Sequence, residues 1–345
     1  MGAVGSGQDG MAGPQMAPTA SPPPPKAPGS LIESFDGPLV VTADLARQRA
    51  LFEGVFGMTL TADQELDGEA VLALFGVRSR AARTVLLQTR DTGVGVRLVE
   101  FRPASGVIVR EGARAIDSDC LKAIDFIVND FDRAVSLLAE RGFKTLGSPA
   151  EYATPEDGRI TEGQVAGPDG VVCALLKLHD TSPSKYVRVA DRTFSEILGV
   201  SAPVSDRESA LGFYRHTLGL ATVISYEIPG RAFQGLMGST GPPLLRGTNF
   251  GVSSRAPMIG VIHYGLPTAA FRSLRDRAAL PNRGIQALRF SVPSVDEVAR
   301  LAAAAGLETS APVAEAVLFP QGRVKSLLLR APHGVLHHFT ETLKA

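Results

Sequence analysis

The sequence predicts an α+β protein assembled from four related modules, each a strand, a helix and then further strands. Three observations carry this reading. A capping Asp or Ser follows a short apolar or alternating segment four times, at Asp44, Asp130, Asp206 and Ser294. Each cap opens a stretch closed twelve or thirteen positions later by a glycine, at Gly57, Gly142, Gly219 and Gly306. The second and fourth modules also agree beyond the helix. Gly142 to Pro168 and Gly306 to Pro332 are both twenty-six positions, and Glu151 and Glu315 both lie nine beyond their glycines. Asp130 and Ser294 are 164 positions apart. That distance is a duplication of a paired unit, too long for a solenoid repeat.

The first module opens on Pro38-Leu-Val-Val-Thr-Ala, a short apolar strand. Asp44 can accept the free amide hydrogens of a first helical turn. The helix over 45–55 then places Leu45, Leu51, Phe52 and Val55 on one face. Residues 70–75, 84–88 and 94–101 are the strand candidates that follow. In the second module Ile124-Asp-Phe-Ile-Val alternates, Asp130 caps a helix over 131–141, and Gly142 takes the place that favours positive φ. Residues 143–146 read as a strand, a polar loop follows Glu151, and Gly167-Pro-Asp-Gly turns into a last strand over 171–178.

The third module resembles the first, with Tyr214 falling where Phe52 does. Its helix is predicted over 209–219. Residues 238–257, rich in Gly, Ser and Pro, read as a long mobile loop carrying Arg246 and Arg255, and 258–265 close the module. The fourth opens on Gln286-Ala-Leu-Arg-Phe-Ser-Val. It ends on Ala331-Pro-His-Gly-Val turning into a strand with His337 and His338. Strand neighbours alternate, so those two histidines face opposite ways.

Composition bounds the rest. The 345 residues suit about two domains, and 35 basic residues balance 35 acidic ones, so bulk charge gives no reason to expect nucleic acid or a membrane as partner. No apolar run reaches the roughly 18 residues of a membrane span. Cys120 and Cys173 form neither a disulfide framework nor a CxxC metal pattern, and a cytoplasmic location is the default. Residues 1–33, with Pro22-Pro23-Pro24-Pro25, read as a disordered tail without a signal-peptide pattern. Consecutive modules are expected to pair: modules 1 and 2 as an N-terminal domain over 34–182, and modules 3 and 4 as a C-terminal domain over 183–345.

The stretch Val204-Ser-Asp-Arg-Glu-Ser-Ala-Leu-Gly-Phe-Tyr-Arg-His-Thr-Leu-Gly219 resembles a signature of the vicinal oxygen chelate superfamily. That superfamily includes glyoxalase I, extradiol dioxygenases and bleomycin-resistance proteins. Gly167-Pro-Asp-Gly-Val and Ala331-Pro-His-Gly-Val are similar to its turn before the last strand, and the likeness spans about residues 37 to 342. The resemblance implies βαβββ modules paired into two curled-sheet domains around open cavities. It also implies a metal ligand on each first strand, seven residues before the cap, and a Glu on each last strand. The first-strand places are Gly37, Ala123, Gly199 and Ala287, none a side-chain ligand. For the last strands, Glu100 is expected at the place in module 1, Ala174 in module 2, His338 in module 4 and His263 in module 3.

Under this pairing the C-terminal half carries the site, with His338 and His263 meeting across the sheet and Tyr226 lining the cavity. The histidines have two uses open to them. With one more oxygen ligand, Glu227, Tyr226 or the substrate itself, they would hold one divalent metal (Zn, Fe, Ni or Mn), or they would work without metal as acid–base groups. The plain alternative is a buried histidine satisfied by its neighbours. Glu100, with Asp125 as a second oxygen donor, is a poorer metal site. Arg231, Arg246 and Arg255 are candidates to clamp an anionic part of the substrate. The Gly-rich runs lack Walker or dinucleotide spacing, so neither a nucleotide nor a flavin is expected.

The function implied is a vicinal-oxygen-chelate-type enzyme acting on a small oxygenated metabolite by lyase, isomerase or ring-cleaving chemistry. The alternative is a non-catalytic, antibiotic-like small-molecule binding or resistance protein. A small-molecule ligand is the partner expected, with a homodimer left open.

Overall fold

The computed structural model describes residues 31–237 and 244–344. Residues 1–30 of the expected tail and 238–243 of the expected loop lie outside the described residues. Residues 31–33 belong to the fold, because Ile32 is buried and Glu33 N–H donates to Ser291 O.

Module 1 is β1 (Ser34–Val41), α1 (Leu45–Phe52), β2 (Thr59–Asp67), α2 (Gly68–Phe75), β3 (Ala81–Gln88) and β4 (Gly95–Arg102). Module 2 is β5 (Ala123–Val128), α3 (Phe131–Glu140), β6 (Lys144–Thr154), β7 (Gly158–Ala166) and β8 (Val172–Leu178). Module 3 is β9 (Phe194–Pro203), α4 (Arg207–Gly212), β10 (Ala221–Pro229), the short α5 (Gln234–Met237), β11 (Leu244–Gly251) and β12 (Met258–His263). Module 4 is β13 (Gly284–Ser291), α6 (Val295–Ala304), β14 (Glu308–Leu318), β15 (Gly322–Arg330) and β16 (Leu336–Thr342). All four caps act as expected: Asp44, Asp130, Asp206 and Ser294 each accept the N–H three residues on. All four closing glycines have positive φ.

Three local expectations are corrected. Residues 70–75 are not a strand but the body of α2. Asp67 accepts Ala70 N–H, Gly76 ends the helix in the left-handed region, and a short apolar run alone does not distinguish strand from helix. Within the expected loop 238–257, residues 244–251 form β11, an interior strand between β10 and β12. The third helix is α4 continued by a π turn over Phe213–Thr217.

The larger correction concerns pairing. One eight-stranded sheet has the order β14-β15-β16-β13-β1-β4-β3-β2, and the other β10-β11-β12-β9-β5-β8-β7-β6. Module 1 therefore pairs with module 4, and module 2 with module 3. Each first strand lies parallel to its own module's last strand, which leaves one edge to fill. That edge meets another first strand antiparallel, β1 against β13 and β5 against β9. Either pairing satisfies the same edges, and module spacing in sequence does not distinguish them. The domain division at 182/183 consequently cuts through the second sheet.

The two curled sheets pack back to back over one core that includes α1, α3, α4 and α6. Leu51, Phe52, Leu138, Leu211 and Val298 lie in it, with Phe56 stacked on Phe126 at 4.0 Å between ring centroids. The concave faces point outward and differ. In the module 1/4 sheet, α2 packs Val71, Leu74 and Phe75 against Val99, Phe101, Leu328 and Leu336. In the module 2/3 sheet the concave face lines a cavity.

Candidate functional site

Strand parity decides which side chains reach a concave face. In each module one last-strand residue stands beside the fifth residue before the cap. These are Arg97 beside Leu39, Ala174 beside Asp125, Gly260 beside Ser201, and His338 beside Arg289. In modules 1 and 3 the expected last-strand residue is therefore off by three. Glu100 shares the face of Val96 and Leu98, which belong to the core between the sheets, while Arg97, Val99 and Phe101 take the concave face. His263 shares the face of Ile259 and Val261, again the inter-sheet side.

His338 and His263 do not meet, because they lie in different sheets. His338 is buried in the concave face of the module 1/4 sheet, its Nε2 2.9 Å from Ser326 Oγ and its ring 5.6 Å from that of Phe75. Burial pushes its pKa down to about 3, with the Arg97 and Arg289 charges adding to the effect. Arg97 and Arg289 are themselves buried; Arg97 donates to Thr84 Oγ1, Phe319 O and Gln321 Oε1, and Arg289 to the backbone carbonyls of Asp36, Pro38 and Gly95. Together with α2 they fill this half.

His263 is part-exposed in a charged surface depression with Asp206, Arg207, Glu227 and Arg246. Its Nδ1 accepts Gly265 N–H at 3.1 Å, and desolvation, then Arg246 and Arg207, lower its pKa. Glu227 faces Arg246 across β10 and β11 and accepts its Nε–H at 2.7 Å. Arg231 is exposed on the turn before α5, and the Arg255 N–H bonds Ser253 Oγ in the loop after β11. The three arginines form no clamp. Among the described residues no three His, Cys, Asp or Glu side chains converge as a metal site. The expected set of His338, His263 and Glu227 is not assembled.

The site the structure assembles is the cavity of modules 2 and 3, about 100 Å³. Across its floor, Gln164, Ala174, Asp125, Gly199 and Met258 sit side by side on β7, β8, β5, β9 and β12. The places where the resemblance puts metal ligands are here Ala123, Ala174, Gly199 and Gly260, and all four line the cavity. They supply no donor atoms, so a resident metal does not fit these positions. They supply room instead.

The polar groups are few and placed by strands. Ser201 Oγ–H donates to Asp125 Oδ2 at 2.5 Å. Lys122 Nζ donates to Tyr264 Oη, whose own hydrogen goes to Ala115 O, each at 3.2 Å. Tyr152 Oη–H donates to Glu162 at 2.9 Å, and Gln164 Nε2 reaches its other oxygen at 3.3 Å. Asp125 is half-buried and lines the cavity. Desolvation, opposed by the Ser201 hydrogen bond and aided by Glu162, pushes its pKa up to about 8. Burial likewise raises Tyr226 and Tyr152. Tyr226 is the one expected catalytic residue found in the cavity. Its ring lies flat over Gly247, where a Cβ would come within 2.1 Å of it. Phe233, Leu236, Leu245 and Ile262 make the apolar wall.

Sequence reasoning missed Lys122, Tyr152, Glu162, Ser201 and Tyr264 as site residues. Alternation about Ala123 had placed Asp125 on the right face, and the equivalence of Asp125 with Ser201, each five residues before its cap, was available as a signal. The partners on β6 and β7 carried none, because their register depends on the hairpin.

No family model matches the sequence, and no curated protein does. Solved structures do match in fold. The chain is similar to glyoxalase I from Zea mays at 14% identity and TM-score 0.58, covering 90% of this chain and 92% of that one. It is similar to a putative dioxygenase from Bacillus subtilis subsp. subtilis str. 168 at 9% identity and TM-score 0.59, covering 92% and 87%. A mutant of the Zea mays glyoxalase I matches at 13% identity and TM-score 0.59, covering 90% and 92%. The chain thus shares its fold with these structures, in four modules.

Proposed function

We propose that this protein is an enzyme performing acid–base chemistry on a small oxygenated molecule held in the cavity of modules 2 and 3. The observation that carries the reading is Asp125: a carboxyl on the cavity floor, oriented by Ser201, with a pKa raised to about 8. Such a group both gives and takes protons near neutrality. In its ionised form it would remove a proton from carbon next to a carbonyl. The C–H electron pair moves to the carbonyl oxygen, where the Lys122 ammonium stabilises the enolate-like charge. The protonated Asp125 then returns its proton to carbon or oxygen, giving an isomerase or, with loss of a leaving group, a lyase. Neighbours of the same fold named glyoxalase I and putative dioxygenase support an enzyme acting on small molecules without naming the substrate. The two free, buried cysteines are consistent with a cytoplasmic setting.

The test is deuterium exchange at the carbon next to carbonyl in a panel of small hydroxyketones and oxo acids in D2O, followed by proton NMR. Exchange by the wild type that is lost in Asp125→Asn supports the reading. Exchange that survives the substitution, or none across the panel, removes it. The second reading, a non-catalytic binder, is favoured by one observation: Tyr152, Tyr226, Phe233 and Tyr264 surround the space as stacking walls. It predicts ligand binding with no exchange.

A further inference from the structure

We propose that the small oxygenated molecule bound in this cavity is also an amphipathic amine, its ammonium head held by Asp125 and Glu162 and its apolar tail in an adjoining compartment. This inference rests on the reading that the module 2/3 cavity is the ligand site. Its first support is charge. Among the lining residues two carboxyls face one ammonium, that of Lys122. Lys122 is already turned to Tyr264, and neither Asp125 nor Glu162 forms an ion pair among the described residues. Once Asp125 is ionised, one further cation completes the set. The second support is the wall: Tyr226, Tyr152 and Phe233 line the same space as the carboxyls, and aromatic rings attract cations.

The third support is space. A second cavity of about 70 Å³ shares Tyr152, Leu176, Leu198, Tyr226, Asn249 and Met258 with the first. Beyond those shared residues it is walled mainly by Ile127, Ile160, Leu178 and Tyr186, with Asp157 engaged by Tyr186 Oη–H at 2.7 Å. The first compartment therefore holds the carboxyls Asp125 and Glu162, and the second is mainly apolar. A molecule that bridges them has a charged end at Asp125 and an apolar end further along β5 and β8, by Ile127 and Leu178.

A proton follows the ligand. At pH 7 the free protein holds Asp125 mainly protonated, because its pKa stands near 8. An ammonium at contact distance favours the carboxylate, so binding releases up to one proton into the buffer. A neutral ligand of the same shape releases none.

The experiment is calorimetric titration of the full chain at pH 7 with n-butylammonium, n-hexylammonium, 1-hexanol and hexanoate, in phosphate and in Tris. Expected are hexylammonium binding at least tenfold tighter than hexanol, about fourfold gain per added methylene, and a buffer-dependent heat reporting proton release. Asp125→Asn should abolish the proton release and the preference over hexanol, and Glu162→Gln should weaken the preference alone. Hexanol or hexanoate binding as tightly as hexylammonium overturns the amine while leaving the cavity as a ligand site. Failure of all four to bind overturns both the amine and the ligand-site reading. Absent deuterium exchange with intact amine selectivity removes only the catalytic reading.

Discussion

Asp125 and Ser201 occupy the same position of two different modules, each five residues before its cap, and bond to each other at 2.5 Å across the β5–β9 seam. The pseudo-twofold relation between modules 2 and 3 brings one position into contact with its own counterpart. In the other sheet the counterparts are Leu39 and Arg289. The same geometry thus yields an acid–hydroxyl pair on one concave face and a buried guanidinium on the other.

Asp125 sets a pH dependence of stability. Its folded pKa of about 8 exceeds the roughly 3.9 of an unfolded aspartate. Between those values the native protein keeps a proton the unfolded chain has lost. Its contribution is full below pH of about 4, falls about 1.4 kcal/mol per pH unit, and is gone above about 8. Relative to wild type, Asp125→Asn should gain stability steadily from pH 5 to pH 8. Urea midpoints across that range check it.

The buried histidines act at the acid end. His337 and His338 are both pushed down to about 3 and His333 well below its usual value, desolvation being the first cause in each. All three stay neutral in the fold while the unfolded chain protonates below about pH 6.5. Stability should fall as pH drops from 6.5 toward 3, each histidine adding about 1.4 kcal/mol per unit. His338→Asn should lower that slope by one proton's worth, read from denaturation midpoints at pH 4 to 7.

Tyr214 joins two of those histidines. His337 Nδ1 bonds Val335 O and so carries a hydrogen, which makes its Nε2 the acceptor of Tyr214 Oη–H at 3.2 Å. Tyr214 Oη in turn accepts from His333 Nε2 at 3.1 Å. Tyr214→Phe strands both nitrogens inside the core and should cost about 1–3 kcal/mol. Urea unfolding measures it, and ligand affinity in the cavity should not change.

Helix α2 keeps water from His338. Phe75→Ala removes a ring that is fully buried against Phe101 and His338. The loss should be about 3–5 kcal/mol, with the His338 pKa rising from about 3 toward 6.5 as water enters. The imidazole Cε1–H shift against pH, by NMR, follows the second effect.

Gly247 seats Tyr226. Gly247→Ala puts a methyl where the ring now lies, and the ring must swing into the cavity. Ligand binding should weaken at least tenfold with the fold retained, as read by calorimetry and circular dichroism.

The periodic parts of the molecule were legible: the caps at Asp44, Asp130, Asp206 and Ser294, the glycines after them, and the four-module α+β order. They depend on local hydrogen bonding and on spacing within about fifteen residues, which a linear sequence carries. The helix α2 reads as a strand in sequence because Ala70 to Phe75 is apolar throughout and shows no period. The candidate site suffered more. Glu100 and His263 lie three residues from Arg97 and Gly260, the positions that strand pairing makes equivalent to Ala174 and His338, and bulges such as that between Asp125 and Phe126 shift register with no mark in composition.

By itself the sequence determined what each module is, and that no first strand offers a metal-binding side chain at the expected place. The tertiary structure decided which modules share a sheet, and with it which residues share a cavity. Both pairings bury the same strand edges, so the choice lies in links, side-chain packing and register across distant segments. It sent His338 beneath α2, left His263 on the surface, and set Asp125 against Ser201 on an open floor.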